Sequence, residues 1–370
     1  MNPLPRLLRR ATLALAAIAT VATTFATALV TTAAQAQTGY AQTRAGDLPV
    51  TLVYPAAAPA QPMDLGPFRL NVAVDAEPLL GRRPLIVLSH GTASDTTSSH
   101  HLAAALAAAG FVVAQPLHVG DNFRDTSLAG PESFRRRPSE ISHVIDALAS
   151  HPAWRERLDL QRVGVYGMSA GGVSALALAG ARWRVMSLVR HCQEHAEDDK
   201  GFCFNGLTDP TAVAARQARY DAAKGVPDVA LPSELTAWHG GRAPQAGEDP
   251  RPDPRVAAVA VAVPVAAIFD PASLERIRIP VGVVSASNDT LLVPAYHSSH
   301  VLRHCGHCRL LMELQGATHL DVLSPWPASV AAAVGAQQSR GGELGANFDP
   351  AQRDEAHRRI AAFFAATLAP

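Results

Sequence analysis

The chain has 370 residues, of which 48% are hydrophobic and 17% charged, and its 32 basic residues balance its 32 acidic residues. Such a composition provides enough apolar material for one large core and leaves room for an inserted segment. The zero formal net charge offers no basic surface on which a polyanion would bind, so no nucleic-acid partner is expected.

The N-terminus has the three parts of a secretory signal. Three arginines among the first ten residues precede an apolar run over residues 11–30, and Ala34-Gln35-Ala36 then places small residues where a signal peptidase cleaves. The alternative is a membrane anchor, but the run is rich in Ala and Thr, which are only mildly apolar. We therefore predict a signal peptide over residues 1–36, a folded domain over 37–370, and no stable membrane span after cleavage.

Export to the periplasm or the medium makes the four cysteines candidates for disulfides. Four cysteines allow three pairings, and their spacing favours Cys192 with Cys203 and Cys305 with Cys308. The second pair lies in His304-Cys305-Gly306-His307-Cys308, which could instead form a metal site or a redox dithiol, and His297 and His300 are close enough in the sequence to make zinc conceivable. No thioredoxin-like pattern surrounds the pair, and its segment is typical of a helix end turning into a strand, so no metal or other cofactor is expected.

The predicted elements begin with extended segments, each bounded by turn-forming residues. Alternating apolar residues predict strands over Pro49–Tyr54 and Phe68–Val74, joined by the Ala/Pro-rich stretch Pro55–Pro62. The continuous apolar run Pro84–Leu88 is typical of a strand that is buried on both faces of a parallel sheet, and Ser89-His90-Gly91 follows it.

Helical and extended periods then alternate. This rhythm predicts a mostly parallel sheet covered by helices on both faces. The predicted helices cover His101–Ala109, Ser139–Ala149 and Ala170–Ala179, and the strands between them cover Phe111–Ala114 and Arg162–Tyr166.

The rhythm breaks over residues 185–254, which are rich in Pro and Gly and contain Cys192 and Cys203. We expect an inserted cap or lid there, because long insertions beside active sites often have that role. The alternation resumes afterwards, with strands predicted over Arg255–Val263, Val281–Ser285 and Arg309–Leu314 and a final helix over Pro350–Leu368.

The strongest chemical signal is Gly167-Met168-Ser169-Ala170-Gly171, which lies directly between a predicted strand and a predicted helix. A Gly-x-Ser-x-Gly sequence in this context forms a sharp turn that exposes the serine hydroxyl, and only small residues fit two positions before and after it. We therefore predict that Ser169 is a nucleophile.

A serine hydroxyl needs a base to take its proton and an acid to orient that base. In chains with this type of turn, the order is nucleophile, acid, base. Asp289 follows the predicted strand Val281–Ser285, and His319 follows the next strand, so both are expected at the sheet edge that carries Ser169. Asp270, which also follows a strand-like run, is the alternative acid. His118, His297 and His300 are expected to have surface or structural roles.

An acyl-transfer site also needs two backbone donors for the oxyanion of its tetrahedral intermediate. The N–H of Ala170, next to the nucleophile, is the expected first donor. The second is expected from Thr92, since Gly91 permits a tight turn after an early strand.

At these residues the chain resembles the α/β-hydrolases, and within them the predicted dienelactone hydrolase group that is related to platelet-activating-factor acetylhydrolase-like enzymes. The resemblance implies the α/β-hydrolase fold, a Ser-His-Asp triad and no cofactor. It rests on Asp47-Leu48-Pro49-Val50, Tyr54-Pro55, Leu88-Ser89-His90-Gly91, His118-Val119-Gly120-Asp121-Asn122, Arg137-Pro138-Ser139-Glu140-Ile141, the segment around Ser169, Asp289 and His319.

Together these features predict an exported serine hydrolase that cleaves small-molecule or lipid-like carboxylic esters through an acyl-enzyme. Two alternatives stay open: an amidase or peptidase with the same residues, and a binding protein that has kept the fold without catalysis. The acyl and alcohol specificity is expected to depend on the inserted segment.

Overall fold

The computed structural model describes residues 37–222, 252–336 and 344–369. The predicted signal peptide lies outside these residues, as does the part of the predicted insertion over 223–251. The strands are β1 (Gln37–Ala45), β2 (Leu48–Ala56), β3 (Gln61–Leu65), β4 (Phe68–Val74), β5 (Arg83–Ser89), β6 (Val112–Pro116), β7 (Leu158–Met168), β8 (Val256–Ala262), β9 (Val281–Ala286) and β10 (Cys308–Leu314). The helices are α1 (His100–Ala108), α2 (Pro131–Ser150), α3 (Ala170–Leu178), α4 (Val185–His195), α5 (Lys200–Cys203), α6 (Pro210–Ala222), α7 (Pro271–Leu274), α8 (Ser298–His304), α9 (Ala328–Ala336) and α10 (Ala351–Leu368), with a 3₁₀ turn over His319–Val322.

The strands form one sheet in the order β10-β9-β8-β7-β5-β6-β2-β1-β4-β3 among the described residues. The six strands from β10 to β6 run parallel. The remaining strands extend the sheet through antiparallel pairs of β6 with β2, β2 with β1 and β4 with β3, and through a parallel pair of β1 with β4. Because parallel strands present their carboxyl ends at one edge, the loops after β5, β7, β9 and β10 share that edge.

Helices cover both faces of the sheet, and each face has its own apolar core. Successive residues of β5 alternate between the two cores: Leu85 and Val87 pack on the side of α2 and α3, whereas Ile86 and Leu88 pack on the side of α1 and α10. All four side chains are almost completely buried. A strand buried on both faces reads as a continuous apolar run, and this confirms the interpretation of Pro84–Leu88.

The predicted elements agree with the structure to within a few residues, except at the start of α2. This helix begins at Pro131, eight residues before the predicted Ser139. Gly130, with φ of 99°, turns the chain into the helix, and Pro131 then occupies the first turn, where a missing N–H costs nothing. The helix continues through Pro138. Phe134 and Arg137 are both buried on the inner side of this early segment, so tertiary packing outweighs the local cost of the proline.

The predicted insertion contains helices α4, α5 and α6 in its described part, residues 185–222, and no strand there. A disulfide joins Cys192 of α4 to Cys203 of α5. Helix α6 packs on this pair through Tyr220, whose hydroxyl donates to the carbonyl oxygen of Cys203 over 2.5 Å. Cys192, Cys203, Phe204 and Tyr220 thus form a small buried cluster apart from the two main cores.

Candidate active site

Ser169 stands on a sharp turn between β7 and α3. Its φ of 55° and ψ of −119° lie in a region that non-glycine residues rarely adopt, which marks a strained turn. The backbone holds the turn in place: the Ser169 N–H donates to Ala262 and its carbonyl oxygen accepts from Val265. A Cβ on Gly167 would collide with the carbonyl of Gly171, and one on Gly171 would collide with the carbonyl of Ser89. Both predicted small residues are therefore required by close backbone approach.

The structure brings Ser169, His319 and Asp289 together. The Ser169 Oγ lies 3.0 Å from the Nε2 of His319, and the His319 Nδ1 lies 2.7 Å from the Oδ2 of Asp289. A carboxylate only accepts hydrogen bonds, so the Nδ1–H of His319 donates to Asp289. The Nε2 of His319 is then left to accept the hydroxyl proton of Ser169. His319 and Asp289 are both at least 95% buried.

The loops that carry Asp289 and His319 are hydrogen-bonded to each other. The backbone N–H of Asn288 donates to the carbonyl oxygen of Ala317 over 2.9 Å, and the N–H of Gly316 donates to the Oγ of Ser287 over 2.8 Å. The second carboxylate oxygen of Asp289 accepts from the backbone N–H groups of Leu291 and Leu292. These bonds restrict the orientation of the carboxylate and leave its Oδ2 facing His319.

His319 begins a short 3₁₀ turn whose N-terminus is closed by a capping box between Thr318 and Asp321. Asp321 Oδ2 accepts from the backbone N–H and the hydroxyl of Thr318 at 2.7 and 2.8 Å. Asp321 also accepts from the N–H of Gly345, and its carbonyl accepts from Arg353 of α10. The backbone that presents His319 is therefore held by α10 as well as by its own loop.

The rival residues lie elsewhere. Asp270 caps α7, accepting from the N–H of Ala272 at 3.0 Å, and His319 is hydrogen-bonded to Asp289 instead. His118 and His297 are completely buried in other hydrogen-bond networks. His300 bonds to the carbonyl of Phe269. All three histidines have structural partners, in agreement with the expectation for them.

One residue expected to donate to the oxyanion is next to Ser169 in the chain, and the other belongs to a loop that approaches Ser169. Ala170 is the first residue of α3, where the N–H has no acceptor within the helix, and the positive end of the helix dipole is directed at Ser169. On the other side, Gly91 lies so close to the turn that a Cβ placed on it would stand 3.4 Å from the Cβ of Ser169. Thr92 follows Gly91 and is exposed.

A buried carboxylate attaches the predicted insertion to the loop that carries Asp289, which we call the acid loop after the expected role of that residue. Asp199 is fully buried, and its Oδ2 accepts from the Nε2 atoms of His191 in α4 and His297, at 2.8 and 2.9 Å. Its Oδ1 accepts from the N–H of Val293, four residues after Asp289. Burial alone would raise the pKa of Asp199, but the bonds from the two histidines lower this pKa to about 2. The carboxylate thus stays ionised and links the insertion to the site.

The second predicted disulfide, Cys305–Cys308, is also present. Both predicted pairings are therefore confirmed, and disulfides of this kind are typical of proteins in an oxidising compartment. The part of the chain that the structure describes contains no group of three or more His, Cys, Asp or Glu side chains that would hold a metal ion. Within that same part, no helix is both long and apolar enough to cross a bilayer.

Sequence reasoning assigned no role to Asp199, Asp121 or Arg137, although all three are buried charges near the site. For Arg137 the sequence did contain a signal: it precedes Ile141 by four residues and Val144 by seven, which places it on the apolar face of α2. A charge on an apolar helix face indicates a buried partner. Asp199 lies in a charged stretch in which nothing distinguishes it from its exposed neighbours.

Neither a scan against models of known protein families nor a search of curated proteins gives a match to this chain. Among solved structures, a ferulic acid esterase from Streptomyces cinnamoneus is similar, with a TM-score of 0.53, 18% sequence identity and 91% coverage of each chain. At this identity the likeness concerns the fold. It does not support the narrower dienelactone hydrolase and acetylhydrolase-like group. The protein therefore has the α/β-hydrolase fold, with a mostly parallel sheet and helices on both faces.

Proposed function

We propose that this protein is an exported serine hydrolase that cleaves carboxylic esters through an acyl-enzyme on Ser169. The observation that carries the proposal is the pair of hydrogen bonds that connects the Ser169 Oγ to His319 and His319 to Asp289. The three groups stand at the carboxyl ends of parallel strands, in the chain order expected for this fold. The similar fold of a ferulic acid esterase is consistent with ester chemistry.

In the proposed mechanism, the Ser169 Oγ attacks the acyl carbon of the ester while the Nε2 of His319 takes the hydroxyl proton. Asp289 stabilises the imidazolium that forms and keeps the Nδ1–H on its own side. The backbone N–H groups of Ala170 and Thr92 donate to the oxyanion of the tetrahedral intermediate. His319 then gives the proton to the leaving alcohol, and the acyl-enzyme remains.

Water completes the cycle. His319 takes a proton from a water molecule, which attacks the acyl carbon. The second tetrahedral intermediate then collapses and releases the carboxylic acid while His319 returns the proton to the Ser169 Oγ. The described insertion, tied to the acid loop through Asp199, stands where it can contribute to substrate choice.

The proposal is tested by hydrolysis of p-nitrophenyl esters from acetate to palmitate, together with methyl ferulate and a p-nitroanilide that has the same acyl group as one of the esters. The variant Ser169→Ala is compared with Ser127→Ala, which removes an exposed hydroxyl. We expect activity on esters, loss of about 10⁴-fold or more in kcat for Ser169→Ala, and no change for Ser127→Ala. The chain-length profile separates a short-acyl esterase from a lipase.

Preference for the anilide would favour the amidase alternative. No hydrolysis of any substrate, together with no labelling of the wild type by a fluorophosphonate, would contradict the enzyme and favour a binding protein. Export is tested separately, by fractionating cells that express the full chain and sequencing the N-terminus of the product. An uncleaved N-terminus in the cytoplasmic fraction would contradict export and cleavage near residue 36.

A further inference from the structure

A buried ion pair lies beside the oxyanion loop, which we define as residues 90–93. Arg137 and Asp121 are 1% and 0% exposed, and the Nη2 of Arg137 lies 2.7 Å from the Oδ2 of Asp121. Neither side chain bonds to Ser169, His319 or Asp289. Removing two charges from water costs free energy that their mutual attraction often fails to recover, so such a pair is weak evidence for a role in stability.

The pair bonds to the oxyanion loop on both sides of Thr92. Arg137 donates to the carbonyl oxygen of His90 and, over 3.4 Å, to that of Gly91. The Oδ1 of Asp121 accepts from the backbone N–H of Ala93 over 3.0 Å. Ala93 has a φ of 56°, a left-handed conformation that a non-glycine residue adopts only when its surroundings hold it there.

Two further contacts restrict the pair and the loop. The hydroxyl of Ser133 donates to Asp121 Oδ2 over 2.7 Å and accepts from the Nε of Arg137 over 2.8 Å, so the guanidinium is held on two edges. The ring of His90 bridges the loop to the segment that follows β6: its Nε2 accepts from the N–H of His118, and its Nδ1 donates to the carbonyl of Gly91. Burial lowers the pKa of His90 well below 6.5, so the ring stays neutral and keeps this tautomer.

The two sides of the oxyanion site are therefore built differently. The Ala170 N–H is oriented by the regular backbone of α3. The loop that carries Thr92 contains no helix or strand that would orient it. Instead, the side chains of Arg137 and Asp121 hydrogen-bond to backbone groups of the residues on either side of Thr92. Among the described residues, the N–H of Thr92 has no hydrogen-bond acceptor, so it is available to a ligand. A shift of about 0.5 Å in such a donor is enough to weaken transition-state stabilisation.

We propose that Arg137 and Asp121 are positioning residues that hold the Thr92 N–H in the oxyanion site. The inference rests on the proposed function, because it requires an oxyanion to form at Ser169. The pair acts through the loop backbone and does not touch the substrate. Its loss is expected to reduce stabilisation of the tetrahedral intermediate while substrate binding in the ground state is kept.

The test compares Arg137→Met, Arg137→Lys and Ser133→Ala with the wild-type mature protein on the best p-nitrophenyl ester. We expect Arg137→Met to lower kcat by about 10- to 100-fold, less than the full loss of an oxyanion donor, with KM almost unchanged. Arg137→Lys keeps the charge and is expected to recover part of this loss, and Ser133→Ala to show a smaller loss.

A second readout separates positioning from folding. An alkyl boronic acid forms a tetrahedral adduct with the serine Oγ and places an oxygen where the oxyanion would form. Its affinity is expected to fall in parallel with kcat across the three variants. Arg255→Met is the matched control, because Arg255 pairs with buried Asp253 just before β8, at the opposite edge of the sheet. This control is expected to lower stability and to leave kcat and boronate affinity of the folded protein unchanged.

Unchanged kcat and boronate affinity in folded Arg137→Met would overturn the inference and leave the pair a structural one. If that variant does not fold, the same comparison is made with Arg137→Lys and Ser133→Ala, and unchanged values in both overturn it equally. A wild type that is inert to all esters and to a fluorophosphonate contradicts the proposed function and this inference together. An active wild type with unaffected variants contradicts this inference alone.

Discussion

The Nδ1 of His319 lies 2.7 Å from the Oδ2 of Asp289, although 30 residues separate them in the chain. The two side chains come from the loops after neighbouring parallel strands β9 and β10. Asp289 turns its other oxygen to two backbone N–H groups, so only one oxygen is available to the ring.

This geometry predicts that Asp289→Asn removes most of the activity without unfolding the protein. The amide oxygen keeps the backbone bonds, and the amide NH₂ then faces the Nδ1 of His319. The ring must accept there and carries its proton on Nε2, where it no longer serves as a base. We expect a loss of about 10⁴-fold in kcat, measured on a p-nitrophenyl ester. Asp270→Asn is the control, and an equal loss in that variant would contradict the assignment.

The close approach of Gly171 to Ser89 predicts that Gly171→Ala is damaging. The new Cβ would collide with the backbone carbonyl of Ser89, so the turn at Ser169 must shift. In a helix without such a collision, replacing Gly by Ala increases stability by about 0.5–1 kcal/mol, so a loss of stability here would point to the collision. We expect destabilisation of about 1–3 kcal/mol and strongly reduced activity, measured by denaturant unfolding and ester hydrolysis. At Gly306 a Cβ would meet nothing within 4 Å, so Gly306→Ala is expected to be neutral.

The Asp199 contacts predict that the insertion and the acid loop are energetically coupled. In Asp199→Ala, the ring N–H groups of His191 and His297 lose their acceptor. The loss costs more free energy at His297, because that ring is fully buried. We expect the free energy of unfolding to fall by about 2–4 kcal/mol and KM to change, since Val293 loses its contact as well. Asp198→Ala, at the adjacent position, is the comparison. Equal effects of the two substitutions would contradict the coupling.

Buried neutral histidines predict loss of stability in mild acid. Burial lowers the pKa of His100 and of His300 to about 4 and that of His357 to about 3. Below an unfolded-state pKa of about 6.5, the unfolded chain takes up protons that the folded protein does not. The free energy of unfolding should therefore fall as the pH decreases from about 6.5 towards about 4.

Urea unfolding at several pH values over this window measures the slope. His357→Gln is expected to reduce the slope, and the same substitution at exposed His307 serves as the control. Stability that is constant or increases as the pH falls would contradict the assignment of these histidines as neutral and buried.

Much of the fold and the centre of the candidate site were predictable because they depend on short stretches of sequence. The run Pro84–Leu88 and the turn around Ser169 carry their own signals, in apolar continuity and in the spacing of small residues. The early start of α2 was not predictable, because local rules place a boundary at Pro138 and the packing of Phe134 and Arg137 overrides them.

The sequence by itself determined the strand–turn–helix at Ser169, because that turn is a property of adjacent residues. It also placed a candidate acid and a candidate base after later strands, in the expected order. Only the tertiary structure separates Asp289 from Asp270 as the partner of His319, because each follows a strand, but Asp289 is hydrogen-bonded to His319 whereas Asp270 caps α7. It also decided which charges are buried beside the oxyanion loop and the acid loop. Burial and hydrogen bonding depend on segments far apart in the chain, which only the assembled sheet brings together.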